Sequence, residues 1–205
     1  MTREWLLLIY TVPSQPSRKR ASVWRELKKL GAVYLRDGCA LLPRRAELED
    51  RMRAMVARIA EFEGTADLVI SPHFAAERVV ELVQRFQEDR VVEYREVHHA
   101  SVRFLREVLH EVDADDFSFP DVDKLDSELG RLHRWYGQIE ERDYFEAEGS
   151  TRVLEILAKC DQAFENFTAT ASSRGEDSGD GRDDVFERLG GAAAPADPLP
   201  DNYPL

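Results

Sequence analysis

Leu6 to Val12 is a continuous apolar run closed by Pro13. It is too short for a stable helix, and its lack of polar alternation predicts a strand covered on both faces. The residues that follow must supply the cover. Ser14-Gln-Pro-Ser17 reads as a loop ending in Ser17 as the N-cap of a helix from Arg18. Val23, Trp24, Leu27 and Leu30 recur at helical spacing as one apolar face, and Gly31 suits the position just past the helix end. Ala32–Leu35 and Cys39–Leu42 then read as short strands around an Asp37-Gly38 hairpin turn, and Pro43 ends the second. Residues 44–63 form a second amphipathic helix striped by Leu48, Met52, Met55, Val56, Ile59 and Phe62, with Gly64 as its stop. Ala66–Ile70 is a fourth apolar strand, closed by Ser71-Pro72. The order β-α-β-β-α-β over residues 4–72 predicts an α+β, ferredoxin-like domain.

Beyond Pro72 the pattern is helical only, so 73–171 reads as a helical extension. Phe74–Glu88 carries Val79, Val80, Val83 and Phe86, and a separate helix over 90–112 carries Tyr94, Val97, Ser101, Leu105, Val108 and Val112. After a turn-rich break at 113–120, Val122–Glu141 is striped by Leu125, Leu129, Leu132, Tyr136 and Ile139. Ser150 to about Thr170 is striped by Leu154, Leu157, Cys160, Phe164 and Phe167. Residues 172–205 are rich in Gly, Ser, Asp, Ala and Pro and read as a disordered acidic tail, with one short amphipathic turn at Val185-Phe186 and Leu189.

The net charge of −12 speaks against nucleic acid as a partner until its distribution is considered. Residues 1–60 hold 13 Lys/Arg against 6 Asp/Glu, and the rest of the chain holds 15 against 34. Arg18, Lys19, Arg20, Arg25, Lys28 and Lys29 crowd the first helix, and Arg44, Arg45, Arg51 and Arg58 follow on the second. Arg18, Ser22, Arg25 and Lys29 share the side opposite the apolar stripe. Two such helices side by side would offer phosphates one positive surface. An ordinary solvated face balanced by Glu26, Glu47, Glu49 and Asp50 is the plainer alternative. Arg44 and Arg45 at a helix start oppose its dipole and call for a reason.

Catalytic chemistry finds no starting residue. Glu96-Val-His-His99 and Glu107-Val-Leu-His110 both contain Glu-x-x-His, the spacing of di-iron bundles. They fall on one helix, however, and cannot face each other within a chain. Cys39 and Cys160 lie in apolar patterns and read as buried thiols, with no disulfide framework. Asp37 belongs to a turn, and Asp115-Asp116 and Asp183-Asp184 read as solvated charge. There is no phosphate-binding Gly-rich loop, GxSxG or HExxH. The expectation is a non-enzyme without cofactor or metal. No run approaches the ~20 apolar residues of a membrane span, and a cytoplasmic protein is expected.

Trp5-Leu-Leu-Leu-Ile-Tyr-Thr-Val-Pro13, Arg20-Ala-Ser-Val-Trp-Arg-Glu-Leu-Lys-Lys-Leu-Gly-Ala32 and Leu35-Arg-Asp-Gly-Cys-Ala-Leu-Leu-Pro43 together resemble the N-terminal region of the ChrB family of chromate resistance regulators. The first stretch is also similar to the central region of PaaX-like repressors. Ile139-Glu-Glu-Arg-Asp-Tyr-Phe145 extends the likeness, so that it covers about residues 5–168. The resemblance implies a transcription regulator that contacts DNA and responds to chromate. ChrB-like proteins usually continue into a C-terminal chromate-resistance domain, whereas this chain carries only the polar tail after Thr170. A stand-alone form needing a partner protein is therefore expected, and no position can be assigned to chromate.

Three functions compete. The first is a DNA-binding regulator using Arg18, Lys19, Arg20, Arg25, Lys28, Lys29, Arg44, Arg45 and Arg51, a homodimer or partnered by another protein. The second is a non-catalytic interaction scaffold or partner subunit, in which Phe186 helps dock proteins. The third is a metal-dependent nuclease similar to the small ferredoxin-like ribonucleases associated with CRISPR arrays. Those need an acidic residue at the end of the first strand, where this chain has Tyr10-Thr11-Val12.

Overall fold

The computed structural model describes residues 4–114 and 117–176. The Val185–Leu189 segment and Asp115-Asp116 lie outside the described residues. Among the described residues four strands and five helices follow in the order β1 (Trp5–Thr11), α1 (Ser17–Lys29), β2 (Val33–Arg36), β3 (Cys39–Pro43), α2 (Ala46–Glu61), β4 (Thr65–Ile70), α3 (Ala76–Asp113), α4 (Phe119–Glu140) and α5 (Ser150–Glu176). The strands form one antiparallel sheet in the order β2-β3-β1-β4.

The chain divides into two compact units. One comprises the chain up to Val92 together with Ile139–Glu148, and the other comprises Glu93–Gln138 and the chain from Gly149.

In the first unit the register decides what each face of the sheet carries. Leu6 pairs with Leu42 and Ile70, and Leu8 with Ala40 and Leu68, so these side chains share one face. Val23 and Leu27 of α1 and Leu48, Met52, Met55 and Ile59 of α2 are buried in the same core. The other face is covered at one end by aromatic packing. Trp5 stacks on Phe86 with centroids 5.9 Å apart, and meets Phe145 at 5.8 Å and Phe74 at 6.4 Å. The expectation of cover on both faces fails further along β1, where Ile9 is 40% exposed and its diagonal neighbour Val69 on β4 is 38% exposed.

Helix ends show which glycines matter. α1 closes as expected: Gly31 adopts φ +73°, its N–H donates to the Lys28 carbonyl, and Ala32 N–H donates to Leu27. At the end of α2 the left-handed residue is Glu63 (φ +61°), not Gly64. Gly64 is needed because a Cβ there would lie closer than 3.0 Å to the Thr11 carbonyl and the Ile59 side chain. Ser17 is the first helical residue rather than the cap. Pro16 occupies the N-cap, without a side-chain capping bond. The pair of helices expected over 74–112 is one helix, α3, because neither Gly nor Pro interrupts 87–92. α5 continues through residues 172–176, where the composition predicts the start of the tail.

The second unit is a three-helix arrangement with Tyr94, Val97, Phe104 and Val108 of α3 buried, along with Leu125, Leu129 and Leu132 of α4. α5 buries Val153, Ile156, Leu157, Cys160 and Phe167, while Leu154, expected in that stripe, faces outward. Tyr94 meets Tyr136 at 5.9 Å, and the Lys124 ammonium pairs with Glu107, joining α3 to α4. His133 and Asp161, 2.7 Å apart, join α4 to α5. No helix of the described residues is long and apolar enough to cross a membrane.

Candidate functional site

The four sides of α1 have different surroundings. Val23, Leu27 and Leu30 point into the core. Lys19, Ser22 and Glu26 face α2: the Lys19 ammonium lies 5.6 Å from the Phe62 ring centroid, and Arg58 donates to Ser22 Oγ at 2.9 Å and sits 3.6 Å from Glu26. Arg18, Arg25 and Lys29 follow one another at helical spacing and are exposed. Among the described residues none of these three makes an ion pair. The fourth side, with Ser17, Ala21, Trp24 and Lys28, borders a cavity.

The nine basic residues singled out from the sequence therefore separate into groups. Arg18, Arg25, Lys29 and, on α2, Arg51 remain exposed, with no ion pair among the described residues. Lys19 rests on Phe62. Lys28 pairs with Asp89 at 3.3 Å and, like Arg18 and Arg20, lines the cavity. Arg44 is taken up by Glu49 (3.1 Å) and Glu4 (3.2 Å), and its Nη1 also donates to Ser71 Oγ. Arg45 lies 4.7 Å from the Tyr144 ring centroid. These two contacts give Arg44 and Arg45 their reason at a helix start, and the pairing leaves Arg44 little charge for a distant anion. Hydrogen bonds from Arg53 and Arg44 hold the Glu49 carboxyl below its usual range.

The cavity measures about 1000 Å³ and lies wholly within the first unit. One wall is α1. The floor is the sheet, where the Tyr10 and Tyr34 hydroxyls stand 3.1 Å apart. Burial, reinforced by the Tyr10 hydroxyl, pushes the Tyr34 phenol well above the usual tyrosine range, so it stays protonated at any physiological pH. The hairpin contributes Asp37 and Gly38, and α3 contributes Arg85, Glu88 and Asp89. Gly38 adopts φ +70°, and a Cβ there would collide with the Tyr10 carbonyl, which sits against the turn. Arg85 donates to the Tyr34 carbonyl at 2.5 Å, giving the outer edge of β2 a partner.

Trp24 departs from the expectation drawn from the sequence. Placed among the core residues by its neighbours Val23 and Leu27, it is instead 50% exposed at the cavity. One residue advances a helix by about 100°, so Trp24 stands at the margin of the stripe rather than in it. Tyr10, Tyr34 and, on α3, Arg85 with Asp89 lie far apart in sequence and are united only by the fold.

Both Glu-x-x-His pairs lie on α3, and the described residues contain no group of three or more His, Cys, Asp or Glu able to hold a metal. Cys39 and Cys160 are free and buried, as expected. Burial pushes the Cys160 thiol up to about 12.

Residues 20–176 match the family described as Protein ChrB, N-terminal. The chain is also similar to Protein ChrB of Cupriavidus metallidurans (strain CH34), with 29% identity over 153 residues. That match covers 73% of this chain and 43% of the relative, so the chain spans less than half of the relative's length. No solved structure matches.

Proposed function

This chain belongs to the ChrB N-terminal family, a family of chromate-resistance-associated regulators, and from that premise we propose that it is a non-catalytic, DNA-binding regulatory module. The observation that carries the reading is the outer side of α1. There Arg18, Arg25 and Lys29 are exposed and, among the described residues, free of carboxylates, in a protein with a net charge of −12. Cations left unpaired at the surface of an acidic protein are suited to neutralising phosphates. Arg51 extends the set onto α2, whereas Arg44 is occupied by Glu4 and Glu49. The β-α-β-β-α-β order with sheet order β2-β3-β1-β4 fits a ferredoxin-like platform carrying the two helices. Chromate belongs to the proposal as the effector, and a homodimer or a second protein as partner.

Binding to duplex DNA from the promoter region beside the gene tests this. Log affinity should fall steeply with log salt, and Arg25→Gln and Lys29→Gln should each flatten the slope by about 0.9. Chromate, but not sulfate, should change retention. Duplex binding indifferent to both substitutions would remove the physical basis of the reading.

Protein docking is the second reading. It is favoured by Ile9 and Val69, diagonal neighbours on one face of the sheet, both exposed.

A further inference from the structure

The structure assigns the cavity beside α1 a ligand class of its own: we propose that it binds a nucleotide, with the base against Trp24 and the phosphate at Arg20. The argument begins with the shape of the site. About 1000 Å³ is far more than a tetrahedral oxyanion fills, and it lies at the upper end of small-ligand sites. Its cations do not converge on one point, since Lys28 is held by Asp89 and Arg85 by the Tyr34 carbonyl.

What the walls offer is of three kinds. Trp24 presents an indole, half exposed, on a helix whose other large apolar residues, Val23 and Leu27, are buried. An indole in that position has a flat face for an aromatic ring. Arg20 and Arg18 stand at the same wall with no carboxylate within ion-pair distance among the described residues. Asp37 and Glu88 likewise make no ion pair among the described residues, and they can accept hydrogen bonds from hydroxyl or amino groups. The Tyr10 and Tyr34 hydroxyls add neutral donors and acceptors between them. An aromatic ring, an anionic end and several N–H or O–H donors in one molecule describe a nucleotide. A bare anion would leave the indole, Asp37 and Glu88 unanswered, and an apolar ligand would leave every polar wall unanswered.

The inference does not rest on duplex binding by Arg25 and Lys29, which lie on the other side of α1. The same chemistry can come from a free mononucleotide or from an unpaired nucleotide of a single strand, and the experiment separates them. The full chain is titrated calorimetrically with AMP, GMP, CMP and UMP, with inorganic phosphate as control, and with a 5′-phosphorylated oligothymidylate. At least one mononucleotide or the oligonucleotide should saturate one site per chain. Trp24→Ala should weaken that binding by at least about fivefold, as expected for loss of a stacked base. Trp24→Phe should restore most of it, and Arg20→Gln should weaken nucleotide binding. A mononucleotide that binds at least as tightly as the oligonucleotide marks a free ligand. Binding that grows with strand length and still depends on Trp24 marks a strand. Trp24 is only half buried, so its removal should lower the unfolding midpoint without unfolding the chain, and that midpoint is measured alongside so that binding is compared between folded proteins. No saturation by any probe at millimolar concentration, or saturation indifferent to Trp24→Ala, overturns the proposal.

Discussion

Arg58 of α2 donates to Ser22 Oγ of α1 at 2.9 Å, and its other terminal nitrogen lies 3.6 Å from Glu26. One guanidinium thus straps together the two helices that carry the basic residues, and it is neutralised in doing so. The charge of a strap is not available to a ligand.

Replacing Arg58 with Gln should therefore lower stability a little and leave duplex binding alone. The ion pair is partly exposed, so its loss should cost no more than about 1 kcal/mol, read as a shift in urea midpoint at unchanged slope. The salt dependence of DNA binding should match that of the parent chain. A flattened slope would mean that Arg58 leaves Glu26 to meet phosphate, and that surface pairing is a poor guide to which cations are free.

The two residues at the end of α2 make an opposing pair. Glu63 has a side chain where the backbone is left-handed, which disfavours L residues by about 1–2 kcal/mol. A glycine at that position would relieve the strain while enlarging the freedom of the unfolded chain, so Glu63→Gly should stabilise by roughly 0.5 kcal/mol. Gly64→Ala should do the reverse, by about 2 kcal/mol or more, because the new methyl meets the Thr11 carbonyl, a backbone atom held in β1. Chemical denaturation of the two variants checks both signs. A stabilised Gly64→Ala chain would show that β1 and the α2 end are not packed as described.

Much of this architecture is legible because local signals agree with the fold. The apolar run of β1, the Asp37-Gly38 turn and the stop at Gly31 each need only neighbours in sequence, and the observed strands lie within a residue or so of those expected. Three failures have one cause. For Trp24, Gly64 and Leu154 the expectation rests on helical spacing or residue type alone, and each is decided by what lies across from it: an open cavity, the Thr11 carbonyl, and a helix face that buries Val153 and Ile156 instead. The candidate surface fares likewise. Nine cations can be named from the sequence, but which of them a carboxylate or ring has claimed depends on Glu4, Asp89 and Tyr144, up to about a hundred residues away. The cavity floor is invisible in the sequence, since Tyr10 and Tyr34 meet only through sheet register.

Cys160 is expected to be inert until the second unit opens. Its thiol is buried, and its Sγ lies 3.6 Å from the Ser101 carbonyl. Because its folded pKa is raised to about 12, the fold favours the neutral thiol. The folded state then holds more protons than the unfolded one above the ordinary thiol value of about 8.5, and stability is lost as pH rises from there towards 12. At about pH 8 a thiol reagent should label neither cysteine of the native chain quickly, and should label both in urea. Cys160→Ser, which has no acidic thiol, should lose less stability between about pH 8 and pH 10 than the parent chain. Prompt native labelling at Cys160, located by mass spectrometry, would show that this helix face is open.

His98 should couple the same unit to acid. It is partly buried on α3, and burial, then the nearby charges of Arg152, His99 and Lys159, lower its pKa below the ordinary imidazole value. Its Nδ1 is enclosed without a hydrogen-bond partner among the described residues, so a proton added there gains no acceptor. A lowered folded pKa means that the unfolded chain binds the proton first as pH falls. The contribution of neutral His98 is therefore complete above about pH 6.5 and is withdrawn as pH drops below it towards the folded value. Urea midpoints taken between about pH 7 and pH 5 should fall more steeply for the parent chain than for His98→Gln, whose side chain does not titrate in that range. Arg152→Gln should reduce the steepness part of the way, because it removes one of the charges that disfavour the imidazolium. Parallel curves for all three chains would mean that the imidazole is solvated in both states, and that the acid response belongs to the carboxylates.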